Sequence, residues 1–251
     1  MISDPVKLLW TGGWDSTFRL LWLVLVEQRP VQPVYLIDAS RNSIGMELRA
    51  MSMIRRQLAE LHPEAMTRLL SVQIADIADL PPDSSIRKSI AKLIGDGWLL
   101  APQHAWIAEY CRANRLNAVE LSEERSIDPA PDGCFSRMAL PWLDMDESPA
   151  RFRPDAPAEL LDLFGNLCFP LVSLTKAEML ALANEHGFAD LMTLTWFCHH
   201  PCDRKPCGAC GPCRHAIKEG FGFRIPRSGH LRHRLHGLRK FAASLIGKKT
   251  P

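Results

Sequence analysis

Two groups of residues in this chain have types and spacings that do chemistry. The first is Thr11-Gly12-Gly13-Trp14-Asp15-Ser16-Thr17, a polar turn between two apolar runs. Val6 to Trp10 reads as a buried strand and Phe18 to Val26 as part of a buried helix. Gly12 and Gly13 permit a left-handed backbone and the close approach of a ligand. Asp15, Ser16 and Thr17 fall where the helix opens, with its N–H groups unsatisfied and its dipole positive, which suits a phosphate. The same pattern also describes an ordinary strand–helix turn capped by Asp or Ser. It is not a Walker A loop, because no Gly-Lys-Ser/Thr follows, and it lacks the third glycine of the dinucleotide fingerprint.

The second group is Cys198, Cys207, Cys210 and Cys213, with eight, two and two residues between them. Four thiolates fill the tetrahedral shell of Zn²⁺ and leave no position for a reactive water, so the expectation is a structural zinc site. The small residues Gly208, Ala209, Gly211 and Pro212 let the chain turn tightly around an ion. An iron–sulfur cluster takes four cysteines too. Cys202, beside His199 and His200, is an alternative to Cys198 as fourth ligand or a spare thiol. Cys111 and Cys168 lie in apolar surroundings and read as small buried side chains. Cys134 reads as a loop thiol.

The elements that must position these groups alternate between strand and helix. The first helix is expected from Asp15 to about Gln28, and a second strand from Val31 to Asp38 with Pro33 near its start. A helix over Glu47 to Leu61 follows, with Leu48, Met51, Ile54, Leu58 and Leu61 at spacings of three and four. Leu69 to Ile74 reads as a strand, Ile86 to Leu99 and Pro102 to Arg112 as helices, and Ala118 to Leu121 as a strand with the polar exit Ser122-Glu123-Glu124-Arg125. Residues 126–157 are rich in Pro, Asp and Gly and read as an irregular insert, either near a substrate or merely structural. Ala158 to Phe164 is a helix and Phe169 to Val172 an extended piece. Thr175-Lys176-Ala177-Glu178 has the form of a capping box at the start of a helix that ends before Gly187. The alternation predicts a doubly wound parallel sheet, an α/β fold with ligands bound beyond the carboxyl ends of its strands. Gly12, Asp38 and Ser122 would then converge on one side. The expected organisation is a domain over 1–190, a zinc segment over 191–223 and a basic tail over 224–251.

Across 251 residues the net charge is +2 and 47% of residues are hydrophobic, enough for a sizeable core. From Phe221 onward there are eight Lys and Arg and no Asp or Glu, which leaves the remainder at −6. The tail's reading is either a solvated, partly helical segment or a site for nucleic acid or an anionic protein, although aromatic interleaving is sparse. No leader sequence or membrane span is expected, and the clustered free cysteines point to the cytoplasm.

Thr-Gly-Gly-x-Asp-Ser resembles the Ser-Gly-Gly-x-Asp-Ser loop of the PP-loop ATP pyrophosphatases. Pro170-Leu171-Val172-Ser173-Leu174-Thr175-Lys176-Ala177-Glu178 and Cys198 with Pro206 to Cys213 are similar to segments of the QueC-type branch, the 7-cyano-7-deazaguanine synthases. The resemblance implies an adenine nucleotide alpha hydrolase-like fold and the use of ATP and Mg²⁺ to adenylate the carboxylate of 7-carboxy-7-deazaguanine. Ammonia displaces AMP, and a second ATP converts the amide to a nitrile. Thr11, Gly12, Gly13, Asp15, Ser16 and Thr17 would hold ATP and its Mg²⁺, Asp38 would contact the nucleotide, and Asp15, Ser16 and Lys176 would be catalytic. A homodimer is expected. Ala39 to Ser43, Gly95 to Trp98 and Ser122 to Glu124 depart from the family pattern, so the acceptor is open. The alternatives are a relative that transfers the activated deazapurine acyl group to another molecule such as a protein, a tRNA-modifying enzyme, or a non-enzymatic zinc-ribbon module that binds nucleic acid.

Overall fold

The computed structural model describes residues 4–125 and 135–246, with side chains through residue 237. The chain divides into two compact units, one of residues 4–38 and 51–195 and the other of residues 39–50 and 196–246. Among the described residues no helix is long and apolar enough to cross a membrane.

In chain order the elements up to residue 192 are β1 (Val6–Leu9), α1 (Trp14–Leu21), β2 (Val31–Ile37), α2 (Ile44–Leu61), β3 (Gln73–Asp76), α3 (Ser84–Gly95), α4 (Gln103–Ala113), β4 (Val119–Glu120), α5 (Phe135–Ala139), β5 (Leu143–Asp144), β6 (Arg151–Phe152), α6 (Ala158–Phe164), β7 (Leu167–Cys168), α7 (Lys176–Glu185) and α8 (Ala189–Met192). Five strands form one sheet in the order β3-β2-β1-β4-β7. Every pairing is parallel, with Val6 opposite Val31, Val34 opposite Gln73, Leu8 opposite Glu120 and Val119 opposite Leu167. From β1 the chain builds outward in one direction through β2 and β3, then returns to β1's other side for β4 and β7. All five carboxyl ends therefore lie along one edge.

Several boundaries differ from expectation. The first helix is regular only to Leu21. Trp22–Val26 then makes a π turn in which the Glu27 N–H donates to the Trp22 carbonyl, 3.0 Å away. Pro33 is the third residue of β2, near its start as expected, but in a strand paired on both sides. Along a strand N–H groups alternate in direction, and Pro33's missing donor faces β3's side. The ladder there is interrupted between the Val31–Leu69 bridge and the resumption at Val34. The third strand is Gln73–Asp76, not Leu69 to Ile74; Leu69 contributes only the single bridge. The extended piece expected at Phe169 to Val172 is displaced to Leu167–Cys168, because those residues pair with β4. Part of the insert, residues 126–134 with Cys134, lies outside the described residues. The rest is ordered by aromatic packing: Phe135 sits 5.0 Å from Phe164 and 5.1 Å from Phe169, and Phe152 lies 5.5 Å from Phe164, ring centre to ring centre. These rings belong to the apolar core of this unit, with Leu9, Val34, Leu36, Val119 and Leu160.

The run from Phe18 to Val26 was expected to be buried, and it carries Arg19 inside. Arg19 Nε and Nη2 donate to the two oxygens of Glu120, at 2.7 and 2.8 Å, and Nη1 donates to Glu27 at 2.5 Å. Glu120 is 2% exposed. Burial opposes the charge on Arg19, yet the bonds to Glu120 and Glu27 hold its pKa above the ordinary value. Such a pair ties α1 to β4, the strand next to β1. Glu120→Ala would leave a buried guanidinium half-satisfied, and the expected cost is about 3–5 kcal/mol by urea unfolding. The double replacement Arg19→Met with Glu120→Leu should recover most of that loss, which distinguishes a buried-charge penalty from simple cavity formation.

The second unit contains the start of α2, then α9 (Gly211–Lys218) and α10 (Arg227–Ile246). The basic tail is thus helical from Arg227, and its first turns are packed. Gly208 takes φ of +80°, and a Cβ there would meet the Gly229 carbonyl oxygen at 2.0 Å. The two glycines let the cysteine loop lie against the start of α10. Arg232 Nε donates to the Cys207 carbonyl at 2.8 Å across the same contact.

Candidate functional site

The loop after β1 turns through Gly12, whose φ is +69°, and α1 begins at Trp14. Gly13 is the N-cap and offers no side chain to the first helical N–H groups. That leaves the positive end of the helix directed at the loop. The buried Trp10 indole donates to Thr17 Oγ1 at 3.0 Å, which fastens the end of β1 to the first turn of α1. Thr17 is fully buried, Ser16 is nearly so, and Thr11 is exposed. Ser16 Oγ accepts from the Thr11 N–H at 3.5 Å.

Lys176 opens α7, more than 150 residues later, and comes to this loop. Its Nζ lies 4.0 Å from Asp15 Oδ1 and is paired with Glu124 Oε1. Glu124 belongs to the exit of β4, so the lysine joins the exits of two adjacent strands. A lysine in the first turn of a helix is disfavoured by the dipole; two carboxylates offset that. Ser122, in the same exit, has a buried Oγ with no hydrogen-bond partner among the described residues. Asp38 directly follows β2 at the same edge of the sheet and is half-buried.

The capping box expected at α7 is present. Thr175 Oγ1 accepts from the Glu178 N–H at 3.2 Å, and Glu178 Oε2 accepts from the Thr175 N–H at 2.8 Å. Arg125 also donates to both Glu178 oxygens at 2.8 Å. The Thr175 N–H, the Thr175 hydroxyl and Arg125 together hold the Glu178 carboxyl at a pKa of about 2. The folded value is depressed, so the stabilisation is complete above the ordinary glutamate pKa of about 4.3 and is lost as pH falls through about 2. Thr175→Ala is expected to cost about 1 kcal/mol at neutral pH and to move the acid-unfolding midpoint upward. An unchanged midpoint would show that the box does not contribute.

His104 was not singled out in the sequence. It is 5% exposed, packed against Phe135 and Phe164, and its Nε2 lies 3.7 Å from Glu123 Oε1. No local signal marks it, since a lone histidine early in a helix is usually solvated.

In the second unit the four expected cysteines come together, with their sulfur atoms all within 4.8 Å of one another. Cys198, Cys207 and Cys213 are buried. The Cys207–Cys213 and Cys198–Cys210 sulfur separations are 3.9 and 3.8 Å. A tetrahedral ion with Zn–S bonds of about 2.3 Å needs a sulfur–sulfur edge of about 3.8 Å. The set therefore encloses room for one ion, and a cluster with inorganic sulfides needs more. Backbone N–H groups point at the sulfurs, Cys207 to Cys198 at 3.2 Å and Cys210 to Cys207 at 3.3 Å, as thiolates require. Hydrogen bonds from Cys198 and Cys213 draw the Cys210 pKa down, while those of Cys198 and Cys213 rise. The four thiols can hold a metal ion such as zinc. Cys202 is excluded from the set: its sulfur contacts the His200 carbonyl at 3.9 Å, in a small bridge with Lys205. Cys111 and Cys168 are buried, and burial pushes each thiol up to about 12, so neither is a ready nucleophile.

Residues 165–222 match the family model described as QueC, queuosine biosynthesis protein QueC. The matched stretch holds the Thr175–Glu178 box and all four clustered cysteines, and it relates this part of the chain to a family of ligase-type enzymes. No curated protein matches the chain at a significant level.

Proposed function

We propose that the chain is an ATP-dependent, AMP-forming C–N ligase acting on the carboxylate of a 7-carboxy-7-deazaguanine-type molecule. The observation that carries this reading is the meeting of Asp15, Lys176 and Glu124 at the glycine turn after β1, beside the point where the sheet's strand order reverses. Ligands of open parallel sheets bind at such a crevice. The fold is then of the doubly wound PP-loop kind.

A carboxylate is a poor electrophile, and joining it to AMP supplies a leaving group. In this scheme the carboxylate oxygen attacks the α-phosphorus of ATP and pyrophosphate departs. Ammonia then attacks the acyl carbon, AMP leaves, and the amide remains. A second ATP activates the amide oxygen, and loss of AMP with two protons leaves the nitrile. The N–H groups at the start of α1 and the Thr11 and Ser16 hydroxyls stabilise charge on the departing pyrophosphate. Lys176, already drawn toward Asp15, moves onto a phosphate oxygen, and Asp38 meets the nucleotide. Mg²⁺, with Asp15 as ligand, would neutralise phosphate charge. Thr17, fastened to Trp10, keeps the turn in shape. Zinc on Cys198, Cys207, Cys210 and Cys213 has a structural part only, because four thiolates leave no open position.

The test is incubation with ATP, Mg²⁺, ammonia and 7-carboxy-7-deazaguanine, with mass analysis of the products. A product lighter than the acid by the loss of two oxygens and one hydrogen and the gain of one nitrogen, with AMP released, is expected. ATP consumption without any deazapurine product would sink the assignment of the acceptor, and the absence of AMP would sink the enzyme reading as a whole.

A further inference from the structure

The second unit carries a charge that its place in the chain conceals. Residues 39–50 and 196–246 contain twelve Lys and Arg against three Asp and Glu, in a chain whose net charge is +2. Four thiolates with a divalent ion subtract only two from that excess.

Several of these cations have structural partners. Arg41 pairs with Glu47 at 2.9 Å, Arg214 donates to the Ala209 carbonyl at 2.6 Å, Arg232 donates to that of Cys207, and Arg224 lies 4.9 Å over the Phe197 ring. Arg49 and Arg204 are placed differently. Both are exposed, and both line a cavity of about 460 Å³ together with Asn42, Gly45, Met46 and Pro201. Among the described residues no acidic one lines it. The nearby Glu47 is buried, bonded to Arg41 and to Ser43 Oγ at 2.6 Å, so its charge is already answered. Gly45 leaves its wall bare, since a Cβ there would have no atom within 4 Å.

Two guanidinium groups and an amide around an open cavity match a phosphate ester in charge and in donor geometry. The volume exceeds what a bare phosphate fills and suits a nucleotide unit. We infer that the Arg49–Arg204 cavity binds the phosphate of a nucleotide unit, and that the net positive charge of this unit of the chain favours a nucleotide within a nucleic-acid strand over a free one. The Asp15 loop is not needed for this inference, which stands or falls separately from the proposed ligase activity.

The test uses the full chain loaded with zinc. Fluorescence anisotropy reads a labelled single-stranded 20-nucleotide RNA, and calorimetry reads uridine monophosphate. Arg49→Gln with Arg204→Gln should weaken RNA binding at least tenfold and lower the slope of log affinity against log salt by about 1.4, at about 0.7 per contact. Arg49→Lys with Arg204→Lys should restore only part of the affinity, since the charge returns without the planar fork. Zinc content and far-ultraviolet dichroism of the Gln variant should match the parent, which separates a lost site from lost folding. Uridine monophosphate binding that vanishes in the Gln variant, without RNA binding, would support the cavity and assign it to free nucleotides. A parent chain that binds neither ligand, or a Gln variant that binds RNA as the parent does, would overturn the inference. Release of AMP from ATP should be unchanged in the Gln variant.

Discussion

Lys176→Met is expected to lower AMP release about 10²–10³-fold, a loss of about 2.7–4 kcal/mol in transition-state stabilisation, while the KM for ATP changes little. The reason is geometric. The ammonium is held 4.0 Å from Asp15 and against Glu124, so it waits beside the turn with its chain ordered and its charge shared. On the proposed function, negative charge on a departing pyrophosphate would appear beside a cation already close at hand, so that a short movement of Lys176 would suffice. Lys176→Arg retains the charge on a longer, planar head that fits the space between two carboxylates differently, and it should recover only part of the rate. Asp15→Asn is the companion variant. It should raise the Mg²⁺ concentration needed for half-maximal rate, whereas Lys176→Met should not. The measurement is single-turnover AMP formation over a range of Mg²⁺. A Lys176→Met chain within twofold of the parent would reduce this residue to a solvated lysine in a helix's first turn.

The second large effect is expected in the other unit. Cys213→Ser should take bound zinc from one per chain to near zero and unfold the segment from Trp196 through α9. A structural zinc contributes about 10–16 kcal/mol of apparent binding energy at neutral pH. A whole domain has about 5–15 kcal/mol of net stability, so the segment has no reserve to replace the ion. Gly208→Val should act in the same direction without touching a ligand, because a Cβ there meets the Gly229 carbonyl at 2.0 Å. Cys202→Ser should leave the metal content at one, since its sulfur lies outside the set. All four thiols must lose protons to hold zinc, so affinity should fall as the pH is lowered. Metal analysis, chelator release and limited proteolysis read these outcomes. A folded, protease-resistant Cys213→Ser chain without zinc would show that packing alone sustains the unit.

The features legible in the sequence share one property: each is closed within a short stretch. Gly12 to Thr17 forms a single turn, Thr175 and Glu178 cap one helix end, and Cys198 to Cys213 spans sixteen residues. Backbone preferences, capping bonds and metal geometry act over such distances, so residue type and spacing suffice. Alternating strands and helices likewise announce a parallel sheet, since parallel strands need crossovers. Strand ends were less legible. β3 begins at Gln73 rather than Leu69 because pairing with β2, not local hydrophobicity, sets where a ladder starts.

What the sequence by itself determined, then, is the glycine turn, the cap at Thr175, the parallel character of the sheet and the four cysteines that can surround an ion. Tertiary structure alone decided which distant groups meet. Arg19 finds Glu120 across 101 positions because β4 lies against β1. Lys176 finds Asp15 and Glu124 because the β1 and β4 exits share an edge. Arg49 joins Arg204 because residues 39–50 fold with the chain beyond residue 195. Charge and hydrogen bonding depend on separation in space, and separation along the chain says nothing of it until the order of strands is known. The turn after β1 was therefore readable as a candidate place to hold phosphate, with Lys176 named only through the resemblance, while the pairing of Lys176 with Glu124 beside Asp15 became visible only in the folded protein.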